Sequence, residues 1–164
     1  MIKKTIIALV VFLVLATPVS VMVIQNKINM FNLLPFKCLT FTRYIFDDNG
    51  SAVHMNLSQD LRLYSLSSGY FLMNGTAESS GKSTRVNRSI HFEQGTLTQG
   101  KTFAYSIKII EKLKGDNTED SDFALLLNEY TTGNNAFQLD VFKIDKLTWL
   151  TGGPYAFINT CTRY

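Results

Sequence analysis

Two cysteines and two histidines are the residues of this 164-residue chain whose side chains are best suited to redox, metal or acid–base chemistry. Cys38 and Cys161 lie far apart and form no Cys-x-x-Cys motif, so the sequence gives redox catalysis little support. His54 and His91 each fall on the polar face of a predicted strand, without the neighbouring His, Cys or Asp that a metal site requires. The sequence therefore predicts no catalytic residue, no metal site and no bound cofactor.

The acidic residues give no stronger signal for catalysis. Most of them stand in predicted turns, such as Asp47-Asp48 and Glu119-Asp120, and they lack the spacing of a calcium-binding loop. The chain contains no Gly-x-Ser-x-Gly motif, no phosphate-binding glycine loop and no dinucleotide fingerprint. We therefore predict that the protein is not an enzyme.

Composition and charge limit the class of protein further. With 46% hydrophobic and 18% charged residues, the chain fits one folded domain, and disordered or collagen-like architectures are excluded. Three of its 16 basic residues, Lys3, Lys4 and Lys27, flank one apolar segment, and the 13 that are left balance the 13 acidic residues. A neutral domain lacks the clustered positive charge that phosphate binding needs, so nucleic acid is not an expected partner.

The N-terminal segment is long and apolar enough to cross a membrane. Residues 5–24 carry no charge, and a helix of this length spans a hydrocarbon core of about 30 Å. Because the lysines cluster before this segment, we predict cytoplasmic residues 1–4, a transmembrane signal anchor at 5–24, a juxtamembrane connector at 25–37 and an exported domain at 38–164. The alternative is a secretory signal cleaved near Ala16, which would release the domain from the membrane.

Both cysteines fall in the exported part of the chain. An even number of cysteines in an oxidising compartment predicts a disulfide, here between Cys38 and Cys161. Such a bond would tie the beginning of the domain to its end and would have a structural role. The alternative is two separate buried thiols.

The exported part has the sequence pattern of a mainly β protein. Apolar and polar residues alternate over about eight short segments, which are separated by Gly, Asn, Asp and Ser, and Asn49-Gly50 marks a hairpin turn. We expect an antiparallel barrel-like or sandwich domain with at most one short helix. Residues 123–130 fit either that helix, capped by Ser121-Asp122, or a buried strand.

The alternation also assigns side chains to faces of the strands. The predicted sets are Leu39, Phe41 and Ile45; Val53, Met55 and Leu57, pointing inward; Val86, Arg88, Ile90 and Phe92; Phe103, Tyr105, Ile107 and Ile109; and Phe137, Leu139 and Val141. Seven Tyr and twelve Phe residues supply many of the large side chains. They would pack the interior of the barrel, or else line a cavity or form an exposed docking patch.

The layout as a whole resembles a known family. The chain has a short basic N-terminus, one apolar segment and a strand-rich domain, and it contains the segments Gly75-Thr76, Arg88-Ser89-Ile90-His91-Phe92 and Cys161-Thr162-Arg163-Tyr164. In these features it is similar to the FidL-like inner-membrane proteins of enterobacteria and, in plan, to PsaF, MyfF and ToxS. The resemblance implies a membrane-anchored periplasmic accessory protein. Such a protein would bind and stabilise or tune a ToxR-like membrane-bound transcription activator of fimbrial or virulence genes. It also implies that the cysteines are a structural pair.

A second function stays open at this point. An eight-stranded barrel could hold an apolar small ligand in its interior, such as a lipid or a bile-type amphiphile. The two functions are compatible, because a ligand could regulate docking.

Overall fold

The computed structural model describes residues 34–48, 51–98, 102–133 and 136–164. The predicted cytoplasmic residues 1–4, the anchor at 5–24 and most of the connector lie outside these residues. Within the described ranges, no helix is both long and apolar enough to span a membrane. The described elements belong to a compact unit, Pro35–Tyr164.

This unit is mainly β, as predicted, with nine strands and one helix among its described residues. In chain order they are β1 (Phe36–Asp48), β2 (Ser51–Leu63), β3 (Gly69–Ser79), β4 (Lys82–Thr98), β5 (Thr102–Lys112), α1 (Asp120–Asn128), β6 (Thr131–Thr132), β7 (Ala136–Lys143), β8 (Thr148–Gly152) and β9 (Phe157–Arg163).

The strands form a closed antiparallel barrel. The hydrogen-bonded order is β5-β4-β3-β2-β1-β9-β8-β7, and a further pairing of β5 with β7 closes the sheet on itself. The two-residue β6 adds to the edge of β7 beside β8 and is not part of the ring of eight strands. Because barrel closure pairs the outermost strands of the sheet with each other, few backbone groups at strand edges are left unpaired.

Short turns join the first four strands. Asp48 pairs with Ser51, so β1 and β2 are joined by a two-residue connection, as the Asn49-Gly50 prediction requires, although those two residues lie outside the described ranges. At the hairpin between β3 and β4, Ser80 and Gly81 have φ of 51° and 74°. Positive φ at both central residues is the signature of the type I′ turn, whose twist suits adjacent antiparallel strands.

Aromatic rings pack the middle of the barrel. The Phe71 ring lies 5.3 Å from the Tyr130 ring, Tyr130 lies 5.7 Å from Phe137, and Phe92 lies 5.0 Å from Phe137 and 4.6 Å from Tyr105. All five side chains are buried. The first of the two roles predicted for the aromatic residues, packing of the interior, is therefore confirmed for these rings.

The predicted faces hold for most strands. Val53, Met55 and Leu57 point inward, and so do Val86, Arg88, Ile90 and Phe92 and the set on β7, Phe137, Leu139 and Val141. Leu39, Phe41 and Ile45 share a face, but it is the outer one, with Phe41 78% and Ile45 60% exposed. The inner face of β1 carries Cys38, Thr40 and Tyr44 instead, where Cys38 forms a disulfide with Cys161 and the Tyr44 hydroxyl donates to Gln59 Oε1.

One face prediction on β5 is wrong. Phe103 and Tyr105 are buried, whereas Ile109 is 46% exposed. The β4–β5 register shifts between His91, paired with Ile109, and Phe92, paired with Ile107. The extra residue on β5 is a β-bulge, and it reverses the alternation of side chains beyond it.

The segment that the sequence left open between helix and strand is helical. Glu119 is the N-cap residue of α1 and makes no side-chain capping bond, so the predicted cap at Ser121-Asp122 is wrong. Asp120 and Asp122 lie in the first turn, where negative charge interacts favourably with the helix dipole. Phe123 and Leu126 are buried beneath the helix.

Candidate functional site

The cysteines predicted to pair form a disulfide. Cys38 on β1 and Cys161 on β9 are 123 positions apart in sequence, with Cα atoms 5.6 Å apart, and both are buried. Between these two strands the described ladder has only two pairs, Cys38 with Arg163 and Leu39 with Thr162. The bond therefore clamps a short seam of the barrel, which is a structural role.

The prominent buried charge inside the domain belongs to Arg88 on β4. Its Nε lies 3.1 Å from an Asp116 carboxylate oxygen, its Nη1 donates to Asp120 at 2.8 Å, and its Nη2 donates to the Thr118 carbonyl at 2.6 Å. The guanidinium also lies 4.4 Å from the centre of the Phe123 ring. Sequence alternation placed Arg88 on an apolar face but gave no sign of Asp116 as its partner.

The carboxylates around Arg88 differ in environment. Asp116 is fully buried and also accepts hydrogen bonds from the backbone N–H groups of Asn87 and Thr118. Asp120 is exposed, and hydrogen bonds from Lys112 and then Arg88 hold its pKa below the ordinary value of 3.8. The cluster thus joins the loop before α1 to β4, and because its charges are mutually satisfied we assign it a structural role.

The histidines do not form a catalytic arrangement with the described side chains around them. His91 Nε2 lies 3.1 Å from the Ser89 hydroxyl and 3.7 Å from a Glu111 carboxylate oxygen. A Ser–His–acid triad needs the serine and the acid on different ring nitrogens, whereas here both approach the same one. His54 lies on β2, and its Nδ1 has no hydrogen-bond partner among the described residues. In the described ranges, no group of three His, Cys, Asp or Glu side chains is placed to hold a metal ion.

A network of polar side chains lies inside the barrel near the β1–β9 seam. The Asn159 amide donates to Gln59 Oε1 at 2.9 Å and to the Tyr44 hydroxyl at 3.2 Å. Tyr44 also donates to Gln59 Oε1 at 2.9 Å, and its hydroxyl lies 3.5 Å from that of Tyr130. Burial first, and then the neighbouring Tyr44, raises the pKa of Tyr130 well above its usual value. The sequence pattern did not reveal this network, because Asn159 lies 115 positions from Tyr44 and 100 positions from Gln59.

A row of side chains crosses the outer wall of the barrel. Directly opposed residues on five consecutive strands, β1 to β5, make up this outer row: Lys37, Arg62, Tyr70, His91 and Ile109. The Arg62 guanidinium lies 5.5 Å from the Tyr70 ring centre, and the Tyr70 and His91 rings are 5.7 Å apart. Cross-strand neighbours of this kind hold one another in place.

Two tyrosines extend the outer row. Tyr64, 57% exposed, lies 5.7 Å from the Tyr70 ring, and Tyr164, 60% exposed, lies under the Lys37 ammonium. Asp60 anchors the centre, because it accepts from Arg62 at 2.7 Å and from the Tyr164 hydroxyl at 2.8 Å. Partial burial and this bond to Asp60 raise the pKa of Tyr164. The outer row combines the half-buried Lys37, Arg62, Tyr70 and His91 with the exposed Ile109, Tyr64 and Tyr164. Its Tyr and Arg side chains are of types enriched in protein interfaces.

The fold and these sites define the class of the protein: a small antiparallel β-barrel with one disulfide and with a row of Tyr, Arg, Lys and His side chains across its outer wall. The family model described as "FidL-like putative membrane protein" matches residues 75–161, just over half of the chain. The chain belongs to this FidL-like family, as its layout suggested. The matched region runs from the middle of β3 to Cys161 in β9 and includes Arg88, Asp116 and α1. No curated protein matches the chain.

Proposed function

We propose that the protein is a membrane-anchored periplasmic accessory protein that binds a ToxR-like membrane-bound transcription activator and stabilises or tunes it. Membership of a family described as membrane proteins supports the membrane association. The single-pass anchor at residues 5–24, the cytoplasmic N-terminus and the periplasmic location of the barrel belong to this proposal. The role in fimbrial or virulence gene regulation belongs to it as well.

The observation that carries the proposal is the outer row. A docking surface gains most from aromatic and Arg side chains that are already ordered, since less rotamer freedom is lost on binding. Tyr70 lies between Arg62 and His91, and Tyr64 packs against it while remaining more than half exposed. We infer that the activator's periplasmic domain docks on this wall of the barrel.

The ligand-binding alternative has no comparable support. It places an apolar molecule in the middle of the barrel, where the rings of Phe71, Tyr130, Phe137 and Phe92 contact one another. Volume occupied by close-packed side chains is not available to a ligand without rearrangement. No specific observation in the described residues favours this function.

The docking proposal is tested with variants of the outer row. The full chain with Arg62→Ala and Tyr64→Ser is produced in cells that express epitope-tagged single-span winged-helix proteins, and complexes are recovered after chemical cross-linking. The matched control is Tyr155→Ser, because Tyr155 is 74% exposed but is not part of the outer row. We expect the double variant to lose the cross-linked activator and the control to retain it. Equal recovery with both proteins would count against docking at this surface.

A further inference from the structure

Among the described residues, the edge of β1 that faces β9 is unpaired over most of its length. On one side, β1 pairs with β2 from Phe36 to Asp48, whereas on the other its ladder with β9 ends at Leu39. From Thr40 to Asp48, no described strand pairs with β1 on that side. An unpaired edge of this length presents a row of backbone N–H and C=O groups that can pair with another strand.

The side chains along this edge do little to protect it. Phe41, Arg43, Ile45 and Asp47 all point outward and are exposed. Proteins usually protect an edge with proline, a bulge, a short strand or charged side chains, especially lysine. The described residues 40–48 contain no proline, no lysine and no register shift against β2; their exposed Arg43 and Asp47 have opposite charges, and Phe41 and Ile45 are large exposed apolar side chains.

The order of the charges favours one pairing partner. When the same strand edge of two copies pairs antiparallel about a twofold axis, one residue lies opposite its own counterpart. A residue a given number of positions before it then lies opposite the residue the same number of positions after it in the other copy. If Ile45 is that central residue, Arg43 of each copy faces Asp47 of the other, and the two Ile45 side chains meet between these ion pairs. Opposite charges in directly opposed positions stabilise a strand pair.

The neighbouring twofold registers are worse. Centring the pair on Arg43 opposes two like charges, which is unfavourable. Centring it on Tyr44 places Arg43 against Ile45 and Phe41 against Asp47, so neither charge has a partner. The edge is therefore complementary to itself in one register.

We propose that the β1 edge, residues 42–48, pairs antiparallel with the same edge of a second copy of this chain, with Ile45 on the twofold axis. The resulting dimer continues the sheet from one barrel to the next. It is independent of activator docking, which uses the outer row, so failure of either proposal leaves the other standing.

Disulfide trapping in the full chain tests this register. Directly opposed residues in an antiparallel pair have Cα atoms about 4.5–5.5 Å apart, which suits a disulfide. In membranes of cells that produce the Ile45→Cys variant, mild oxidation should yield a covalent dimer on a non-reducing gel. The native cysteines are already paired with each other and so leave the new thiol free to report.

Arg43→Cys is the matched control. In the proposed register, residue 43 of one copy is offset by four residues along the strand, about 13 Å, from residue 43 of the other. No disulfide-linked dimer should therefore form. In the Ile45→Cys background, Arg43→Asp should reduce the dimer yield, and adding Asp47→Arg should restore it. Resistance of each variant to limited proteolysis shows that the barrel is folded.

Three results would overturn the proposal. One is a folded Ile45→Cys protein that remains monomeric after oxidation. Another is an Arg43→Cys protein that dimerises as well as Ile45→Cys, which would mean a different register. The third is an Ile45→Cys adduct with the mass of another protein, which would assign the edge to a partner other than a second copy.

Discussion

Arg88 and Asp116 form an ion pair inside the domain, with an N–O distance of 3.1 Å and side chains only 3% and 0% exposed. The pair joins β4 to the loop that precedes α1. The loop also pairs with the part of β4 that precedes its ladder with β5. There the Leu113 N–H donates to the Asn87 carbonyl and the Asn117 N–H donates to the Arg85 carbonyl. The ion pair thus fixes the loop as a cover for backbone groups that would otherwise be unpaired.

Removing the buried carboxylate should destabilise the domain strongly. Asp116→Ala removes the buried carboxylate that balances the positive charge of Arg88. Removing one partner of a buried ion pair lowers the free energy of unfolding by about 3–5 kcal/mol. Thermal unfolding of the purified full chain, followed by circular dichroism, measures the loss. Glu119→Ala, a change of an exposed acid in the same segment, is the control and should unfold at nearly the wild-type temperature. Equal melting temperatures for the two variants would contradict the structural role of the pair.

One buried hydroxyl should be dispensable. The Tyr105 hydroxyl is buried and has no hydrogen-bond partner among the described residues. Because an unsatisfied buried polar group costs about 1–3 kcal/mol, we expect Tyr105→Phe to leave the free energy of unfolding unchanged or to raise it. Tyr130→Phe should lower it, since that hydroxyl lies in the Asn159 network. Denaturant titration of both variants checks the contrast, and a clear loss of stability in Tyr105→Phe would refute it.

Stability should fall at alkaline pH. Burial raises the pKa of Tyr105 and of Tyr130 above the ordinary tyrosine value of 10.0. A group with a raised pKa in the folded state contributes stability that is fully present below about pH 10 and is lost as the pH rises further, because the unfolded chain ionises first. The free energy of unfolding should decrease as the pH is raised from about 8 to about 11, a range that includes the ordinary tyrosine pKa. The decrease should be less steep in Tyr105→Phe. A flat wild-type profile would contradict this reasoning.

Much of this architecture could be predicted from the sequence, because the relevant signals are local. Alternation and turn residues predicted an antiparallel β domain with at most one helix, and Asp48 pairs with Ser51 across the predicted Asn49-Gly50 turn. Alternation also placed Arg88 on one face with Val86, Ile90 and Phe92, and all four side chains are buried. These features depend on residues that are close in sequence.

The features that could not be predicted depend on tertiary pairing. Phe41 and Ile45 point outward because Cys38 and Tyr44 occupy the inner face of β1. Cys38 bonds to Cys161 and Tyr44 to Asn159, and each partner lies more than 100 positions further along the chain. The outer row aligns only through the register of five strands, which alternation does not fix. The bulge that turns Ile109 outward has no turn residue to mark it.

The disulfide should contribute a large share of the domain's stability. Closing a loop of 123 residues corresponds to about 5 kcal/mol in the chain-entropy model. Cys38→Ser combined with Cys161→Ser should therefore lower the melting temperature markedly, whereas Thr162→Ser beside the bond should not. Calorimetry of the oxidised full chain and of the two variants provides the measurement. A double serine variant as stable as the wild type would show that the β1–β9 seam does not need the clamp.

The central claim concerns stabilisation of a membrane-bound activator, and its most direct test is activator abundance in cells that lack this protein. If the barrel binds the folded periplasmic domain, mass action predicts that its deletion increases the unfolded and degraded fraction of the activator. Immunoblots of the epitope-tagged single-span winged-helix proteins should show one whose level falls together with transcription of its targets. The full chain should restore both, and residues 1–27 alone should restore neither. Unchanged levels of every such protein, with unchanged target transcription, would contradict the account.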